Sequence, residues 1–439
     1  MTFEIWNTRS NTRRLLGMTV LAAAALSACA GGDDGQAGQG QPVTIDAGTA
    51  NTVSRFDEIA TNTINQPNAA TGTPEERQSN YAFDLATVHI AMYDAVIAIA
   101  GGYRPFYASA PASPTSGASQ DAAAMAAAYY VLKALFPTRT ATYQAAYDSA
   151  LATITDADAR AKGVALGAEV AATVVAARAD DGRAAALPAF VPGTAPGAYR
   201  GPGTVGRSYP NVRPFALTSA AQFRTAAPLA LSSAAYAADV NETRDLGGSG
   251  SSTRTAGQAE MARFHSEAPT TLWPRNLRRF MMTNRSLAEQ ARLGALLWVT
   301  HADATIACFE SKYHYLAWRP FSAINLADTD DNAATTADPA WTPFLPTPGH
   351  PEYPAAHGCV SAAAAQVLRS FYGTTSVSFD FDSTASATTR HYASTDALVD
   401  EITLARIYGG MHFRTALVAG EAQGQSVSQY TLQNRFQAK

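Results

Sequence analysis

Lysine, cysteine and charge in general are scarce in this chain. Four lysines stand against 28 arginines among 439 residues, charged residues make up 15%, and the formal net charge is −4. No run of Lys or Arg occurs, which excludes a nucleic-acid surface and any partner chosen by bulk electrostatics. A lysine inside a motif is then hard to dismiss as surface decoration, and Lys312 is that lysine. Alternating strand patterns are scarce too, and no internal repeat is strong enough to use. Apolar residues are plentiful. A 47% hydrophobic content at this length fills the core of two ordinary domains or one large one, so disorder is confined to the ends.

The N-terminus reads as an export signal. Arg9, Arg13 and Arg14 precede an apolar run from Leu15 to Leu26, too short to span a membrane and right for a signal core. Leu26-Ser27-Ala28-Cys29 looks like a bacterial lipobox, which makes residues 1–28 a lipoprotein signal peptide and Cys29 the lipidated mature N-terminus. The alternative is an ordinary signal cleaved near Ala28. Ala30, rather than Asp, follows the cysteine, so no inner-membrane retention signal is present. Residues 29–50, Gly- and Gln-rich as far as Pro42, are expected to form a flexible tether. The expectation is an exported, periplasmic protein anchored to a membrane by lipid. Cys308 and Cys359 then remain in an oxidising compartment as one possible disulfide, with two buried free thiols as the alternative.

Ala/Leu-rich stretches with helical periodicity cover roughly residues 77–100, 120–135, 138–152, 156–181 and 286–318. Shorter ones lie near 357–372, 395–407 and 416–430. The fold class expected is all-α, residues 51–439 forming one helical domain with a catalytic core at about 286–439. Between Leu187 and Gly257 the chain is rich in Pro, Gly and Ser, a long irregular connection between two helical halves that could cover a pocket mouth.

Lys312 and Arg319 stand seven residues apart, nearly two helical turns, so in a continuous helix both face one way. Pro320 ends that helix near Arg319. The same stripe carries Tyr315, Cys308, Thr305 and His301. Two cations on a buried stripe are costly without an anion between them, although salt bridges to distant acids would also serve. Downstream, Pro354-Ala355-Ala356-His357 is a tight turn that starts a helix at His357, where free amides and the helix dipole attract an anion and the imidazole can exchange a proton with it. Arg406 and His412 are six residues apart and would diverge on a straight helix. Gly409-Gly410 can break it and turn both inward.

This order and spacing, Lys-x6-Arg-Pro, then Pro-x-x-His, then Arg-x5-His, resembles the three-part signature shared by vanadium haloperoxidases and type-2 phosphatidic-acid phosphatases. The signature covers about 100 residues, Lys312–His412, and is strong as a triple though weak in any one part. The helix around Val88–Asp94 and the segment Ala235–Glu242 also look like bacterial haloperoxidase-like proteins, which extends the likeness over most of the mature chain.

The resemblance implies helical bundles of the vanadium haloperoxidase type and vanadate as cofactor. His412 would be the vanadium ligand. Lys312, Arg319 and Arg406 would neutralise the oxyanion with the turn residues Ala355 and Ala356, and His357 would be the acid–base group. Hydrogen peroxide bound at vanadium would be polarised by Lys312 and attacked by halide to give hypohalous acid or its equivalent. An organic acceptor and an oligomer are left open. His350 lies seven residues before His357, where bromide-type enzymes also carry a histidine, so bromide and iodide are expected over chloride. The nearness of Cys308 to Lys312 and of Cys359 to His357 favours their pairing beside the pocket. Two departures weaken the match. Ala355 and Ala356 replace the Ser-Gly usual in the turn, a loss of one hydrogen bond worth about 0.5–1.5 kcal/mol, or up to ~3 with charge assistance. Ala405 replaces a usual serine. The alternatives are an acid phosphatase with His412 as nucleophile, and a lipoprotein that binds the oxyanion without turnover. A pure binder has no need of His357, and the multiple membrane spans of lipid phosphatases are missing. Glu352 could pair with a pocket arginine or sit in a solvated loop. His265, His314 and His391 read as structural or surface residues, and His89 and Asp94 as orienters of neighbouring helices.

Overall fold

The computed structural model describes residues 40–46, 48–66 and 80–439. The leader, Cys29 and most of the tether lie outside the described residues.

The first helical half contains α1 (Thr52–Asn65), α2 (Tyr81–Ala100), α3 (Gln120–Leu135), α4 (Thr140–Ala152) and α5 (Ala157–Arg178). Helix α2 is long and apolar enough to cross a membrane, but it is buried continuously from Tyr81 to Ile97 and serves as the central core helix. Helices α3 and α5 approach closely because Gly163 and Gly167 present no side chain to the alanines of α3; a Cβ at Gly167 would lie 2.3 Å from the Ala123 carbonyl oxygen. Asp57 fastens this half to the next. It accepts from Trp298 Nε1 at 3.0 Å and Arg278 Nε at 2.8 Å, and pairs with His89 at 2.9 Å. His89 thus orients helices as expected. Asp94 orients a loop instead, accepting from the amides of Phe106, Tyr107 and Ala108.

The second half comprises α6 (Ala234–Gly247), α7 (Ala256–Phe264), α8 (Pro269–Met281), α9 (Leu287–Tyr315), α10 (Pro320–Asn325), α11 (Ala356–Tyr372), α12 (Thr395–Tyr408) and α13 (Arg414–Asn434). Helix α6 interrupts the connection expected to be irregular through Gly257. Ser233 caps it, and Tyr236 and Val240 pack against Trp318 and Phe413, giving it an apolar face to bury. A Cβ at Gly247 would lie 2.5 Å from Gly410 Cα, so α6 ends in backbone contact with the Gly409-Gly410 turn.

The fold is mostly helical, with a small sheet that the periodicity did not reveal. Strand β1 (Val43–Ile45) pairs in parallel with β2 (Val377–Ser383), and β2 pairs antiparallel with β3 (Thr388–Tyr392). Val43 and Ile45, read as the end of a tether, are therefore strand residues. Helices α11 and α13 meet nearly backbone to backbone, since Cβ atoms at Gly358, Gly420 and Gly424 would lie 2.0–2.6 Å from carbonyl oxygens of the facing helix. This contact, with the Ala355 amide donating to the Ala416 carbonyl, places the starts of α11 and α13 side by side.

Candidate active site

Helix α9 begins with a capping box between Ser286 and Glu289 and ends at Leu316, whose left-handed backbone (φ 49°) turns the chain aside. Lys312 and Arg319 are therefore not on one helical face. Residues 317–319 are extended: the Trp318 amide donates to the Gly197 carbonyl and the Ala317 carbonyl accepts from the Glu352 amide. Arg319 caps α10, with Pro320 at its first position, because a residue before proline avoids helical geometry. The two cations still converge. Pairing of the connector with the loop before α11 brings Arg319 to the Lys312 site.

Lys312 is fully buried, and its Nζ donates to the carbonyls of Pro351 and Glu352, both at 2.9 Å. Arg319 donates from Nε to the His350 carbonyl and from one Nη to the Met411 carbonyl, both at 2.8 Å. It also reaches His412 Nε2 at 3.1 Å and His350 Nδ1 at 3.0 Å. Arg406, on the last turn of α12, donates to the His265 carbonyl and to Met411 Sδ, both at 3.0 Å. Gly409 and Gly410, the latter at φ 72°, then turn the chain so that His412 joins Arg406, as expected.

Each of the three cations thus bonds to neutral acceptors. Burial and the neighbouring arginines hold the Lys312 ammonium well below its ordinary value, against the pull of Glu352. Burial likewise brings Arg319 down to about 10 and Arg406 to about 9, both still charged at neutral pH.

Glu352 is the residue the sequence left open. It is 2% exposed, and its carboxylate accepts from His412 Nδ1 and the Phe413 amide, both at 3.0 Å. Its bonded partner is the histidine rather than an arginine, and no solvated loop surrounds it. With Nδ1–H committed to Glu352, His412 Nε2 is the nitrogen left facing the cations. Burial holds the Glu352 carboxyl up at about 7, while burial and the cations hold His412 well below its usual value.

His357 stands in the first turn of α11. Helix geometry leaves the early amides there without intrahelical acceptors, and no side chain caps them. The Ala355 amide donates to the Ala416 carbonyl, which removes Ala355 from the expected oxyanion donors; Ala356 keeps its place in the first turn. His357 Nε2 and Arg406 Nε are buried without a hydrogen-bond partner among the described residues. Burial and Arg406 keep His357 well below its ordinary value, hence neutral. His350 is also held neutral, by burial and by Arg319. Cys308 and Cys359 are joined in a disulfide, Cα atoms 6.4 Å apart, linking α9 to α11 beneath the site.

Of the remaining stripe, His301 and Thr305 line a cavity of about 410 Å³ that opens onto His350, His357 and Arg406. Tyr315 turns away and donates to the Thr225 carbonyl. Val205 and Tyr209 of the long connection contribute to the cavity wall, the covering role expected of that segment. His314 and His391 are exposed. His265, paired with Glu401, is buried behind Arg406 and supplies its carbonyl to that side chain, a role no sequence pattern announces.

Three buried cations, one buried carboxylate, two partnerless nitrogens and a helix start call for an anion with several oxygens. The donor set fits vanadate or phosphate. Comparison with known proteins agrees. Residues 292–438 match the family profile of the VCPO second helical-bundle domain. The fold is that of bacterial vanadium-dependent haloperoxidases. An iodoperoxidase, described as the first bacterial vanadium-dependent one, superposes with a TM-score of 0.69 at 24% identity, over 88% of this chain and 95% of the other. A bacterial vanadium-dependent chloroperoxidase matches over 88% of this chain and 98% of its own, with a TM-score of 0.69 at 14% identity in its apo form and 0.65 at 16% in its holo form. No curated protein sequence matches the chain.

Proposed function

We propose that the protein is a vanadate-dependent haloperoxidase that oxidises halide with hydrogen peroxide. The observation that carries the reading is the set of three buried cations, all bonded to neutral groups, grouped around His412 and His357. Vanadate, when bound, supplies a Lewis acid that activates peroxide toward halide without changing oxidation state. Lys312, Arg319 and Arg406 neutralise the oxyanion. His412 offers Nε2 as the ligand because Glu352 keeps the proton on Nδ1. His357, neutral and partnerless at Nε2, accepts the proton of incoming peroxide and returns it to the leaving oxygen. Halide reaches the site through the cavity, past His350.

Bromide and iodide are the halides expected, from the histidine at 350, and robust chlorination of a standard dye at mildly acidic pH would overturn that choice. The decisive experiment adds orthovanadate to metal-free protein and follows halide-dependent peroxide consumption. Efficient hydrolysis of p-nitrophenyl phosphate without such consumption would assign the pocket to a phosphatase with His412 as nucleophile.

A further inference from the structure

A second cavity, of about 420 Å³, is lined by Glu352 but by none of Lys312, Arg319, His357, Arg406 or His412, so it is distinct from the oxyanion site. Cavities that hold small molecules typically measure roughly 300–1,000 Å³ and have apolar and aromatic walls with a few placed polar groups. This one fits that description. Its aromatic walls are Tyr236 of α6, Tyr315 at the end of α9, Trp318 of the extended connector, Tyr353 of the loop before α11 and Phe413 at the start of α13. Its charged wall residues are Asp239 and Glu352, and no Lys, Arg or His lines it.

Asp239, on α6 and three residues beyond Tyr236, is 7% exposed. It accepts from Thr415, whose amide stands at 3.3 and 3.4 Å from its two oxygens, long for such bonds. No cation forms an ion pair with it among the described residues. Arg414 lies nearby but is committed to Glu242, at 2.6 and 3.0 Å. Burial lifts the Asp239 carboxyl above its ordinary value, and neither Thr415 nor Arg414 offsets that. A buried carboxyl without a counter-ion calls for a positive charge beside it. Aromatic rings attract the same charge through their electron-rich faces. A primary ammonium brings three hydrogens that each need an acceptor. On this wall the carbonyls of Gly197, Ala230, Leu316, Ala317 and Ala416 already accept hydrogen bonds. A fully alkylated ammonium needs no acceptor.

We infer that this second cavity binds a small quaternary ammonium ion, enclosed by its aromatic side chains, with Asp239 as the counter-ion. An apolar cavity of ~150 Å³ is enough to hold a benzene ring. An ion of choline's bulk therefore enters this space with room for water. An anionic group on the ligand would stand against the Asp239 carboxylate, which favours the free ion over a phosphate-bearing headgroup. The inference is independent of the halide chemistry, because the cations and histidines of the oxyanion site do not line this cavity.

The test is calorimetric titration of the full expressed chain, without vanadate, at pH 8 and constant ionic strength. Choline is the probe, and 3,3-dimethylbutan-1-ol, in which carbon replaces the charged nitrogen, is the neutral comparator. One-to-one binding of choline at least 10-fold tighter than the comparator is expected. Asp239→Asn, which keeps the acceptor for Thr415 and removes the charge, should weaken choline at least 10-fold and leave the comparator unchanged. Leu231→Trp, which fills the cavity from the long connection, should weaken both, and it replaces Asp239→Asn if that variant fails to fold. Glycerophosphocholine should bind at least 10-fold more weakly than choline; equal binding would make a lipid headgroup the source of the same ammonium. No saturable binding of choline, equal binding of the neutral comparator, or choline binding unchanged in the folded variant overturns the inference.

Discussion

Replacing Glu352 by Gln keeps the side chain's shape and removes one buried negative charge. Burial lifts this carboxyl from 4.5 to about 7. In the unfolded chain it ionises near 4.5. Between those values the folded protein holds a proton that the unfolded chain has lost, so stability falls as pH rises through that window. At about 1.4 kcal/mol per pH unit the loss amounts to about 3 kcal/mol, which Glu352→Gln does not suffer. The other titrating groups are common to both proteins and cancel to first order in their difference. Urea unfolding of both, without vanadate or phosphate, should show the difference moving by about 2–3 kcal/mol in favour of Gln between pH 5 and 8. Gln also loses the charge-assisted bond from His412 Nδ1, so vanadate affinity should fall roughly 10–100-fold, the range for losing a partner behind a metal-ligating histidine. From pH 5 to pH 8 the variant thus gains stability relative to wild type, and it is the poorer vanadate binder. Parallel unfolding curves at every pH would refute the buried-charge argument, and unchanged vanadate affinity would refute the role of Glu352 in holding His412.

His412→Ala is expected to abolish halide-dependent peroxide consumption with an unchanged circular dichroism spectrum. His357→Ala should retain vanadate while slowing turnover by roughly 10²–10⁴. Denatured, non-reduced protein is expected to show no titratable thiol from Cys308 or Cys359. The 51-residue separation of these cysteines implies that opening the disulfide costs about 4 kcal/mol on the chain-entropy account, measurable as a lower urea midpoint for the double Ala variant. Cys29→Ser should release the expressed protein from membranes, and unchanged membrane fractionation would count against lipidation.

The helices were legible where apolar periodicity and caps agreed. Residues 120–135 are helical over the expected span, and residues 395–407 needed only Tyr408 added. The site was legible because its chemistry sits in three short motifs, and Lys312, Arg319, His357, Arg406 and His412 do come together. How they come together was less legible. Spacing alone put Arg319 on the face of Lys312, whereas the left-handed turn at Leu316 and backbone bonds to residue 197 and to Glu352 remove it from that helix. Those bonds are long-range, and periodicity is local. The role of Glu352 was hidden for the same reason, since a carboxylate between two prolines carries no sign of a histidine 60 residues away. Strand β1 was masked by its Gly- and Gln-rich neighbours, and its partner β2 is distant in sequence.

The carbonyl and thioether acceptors on Lys312, Arg319 and Arg406 bear on exchange. An entering anion breaks no internal ion pair with these side chains, and a leaving one abandons them to the same dipoles that held them before. Among the described residues the site therefore holds no tethered competitor, and on the proposed function its occupancy would follow the free concentrations of vanadate and phosphate, each weighed by its own affinity.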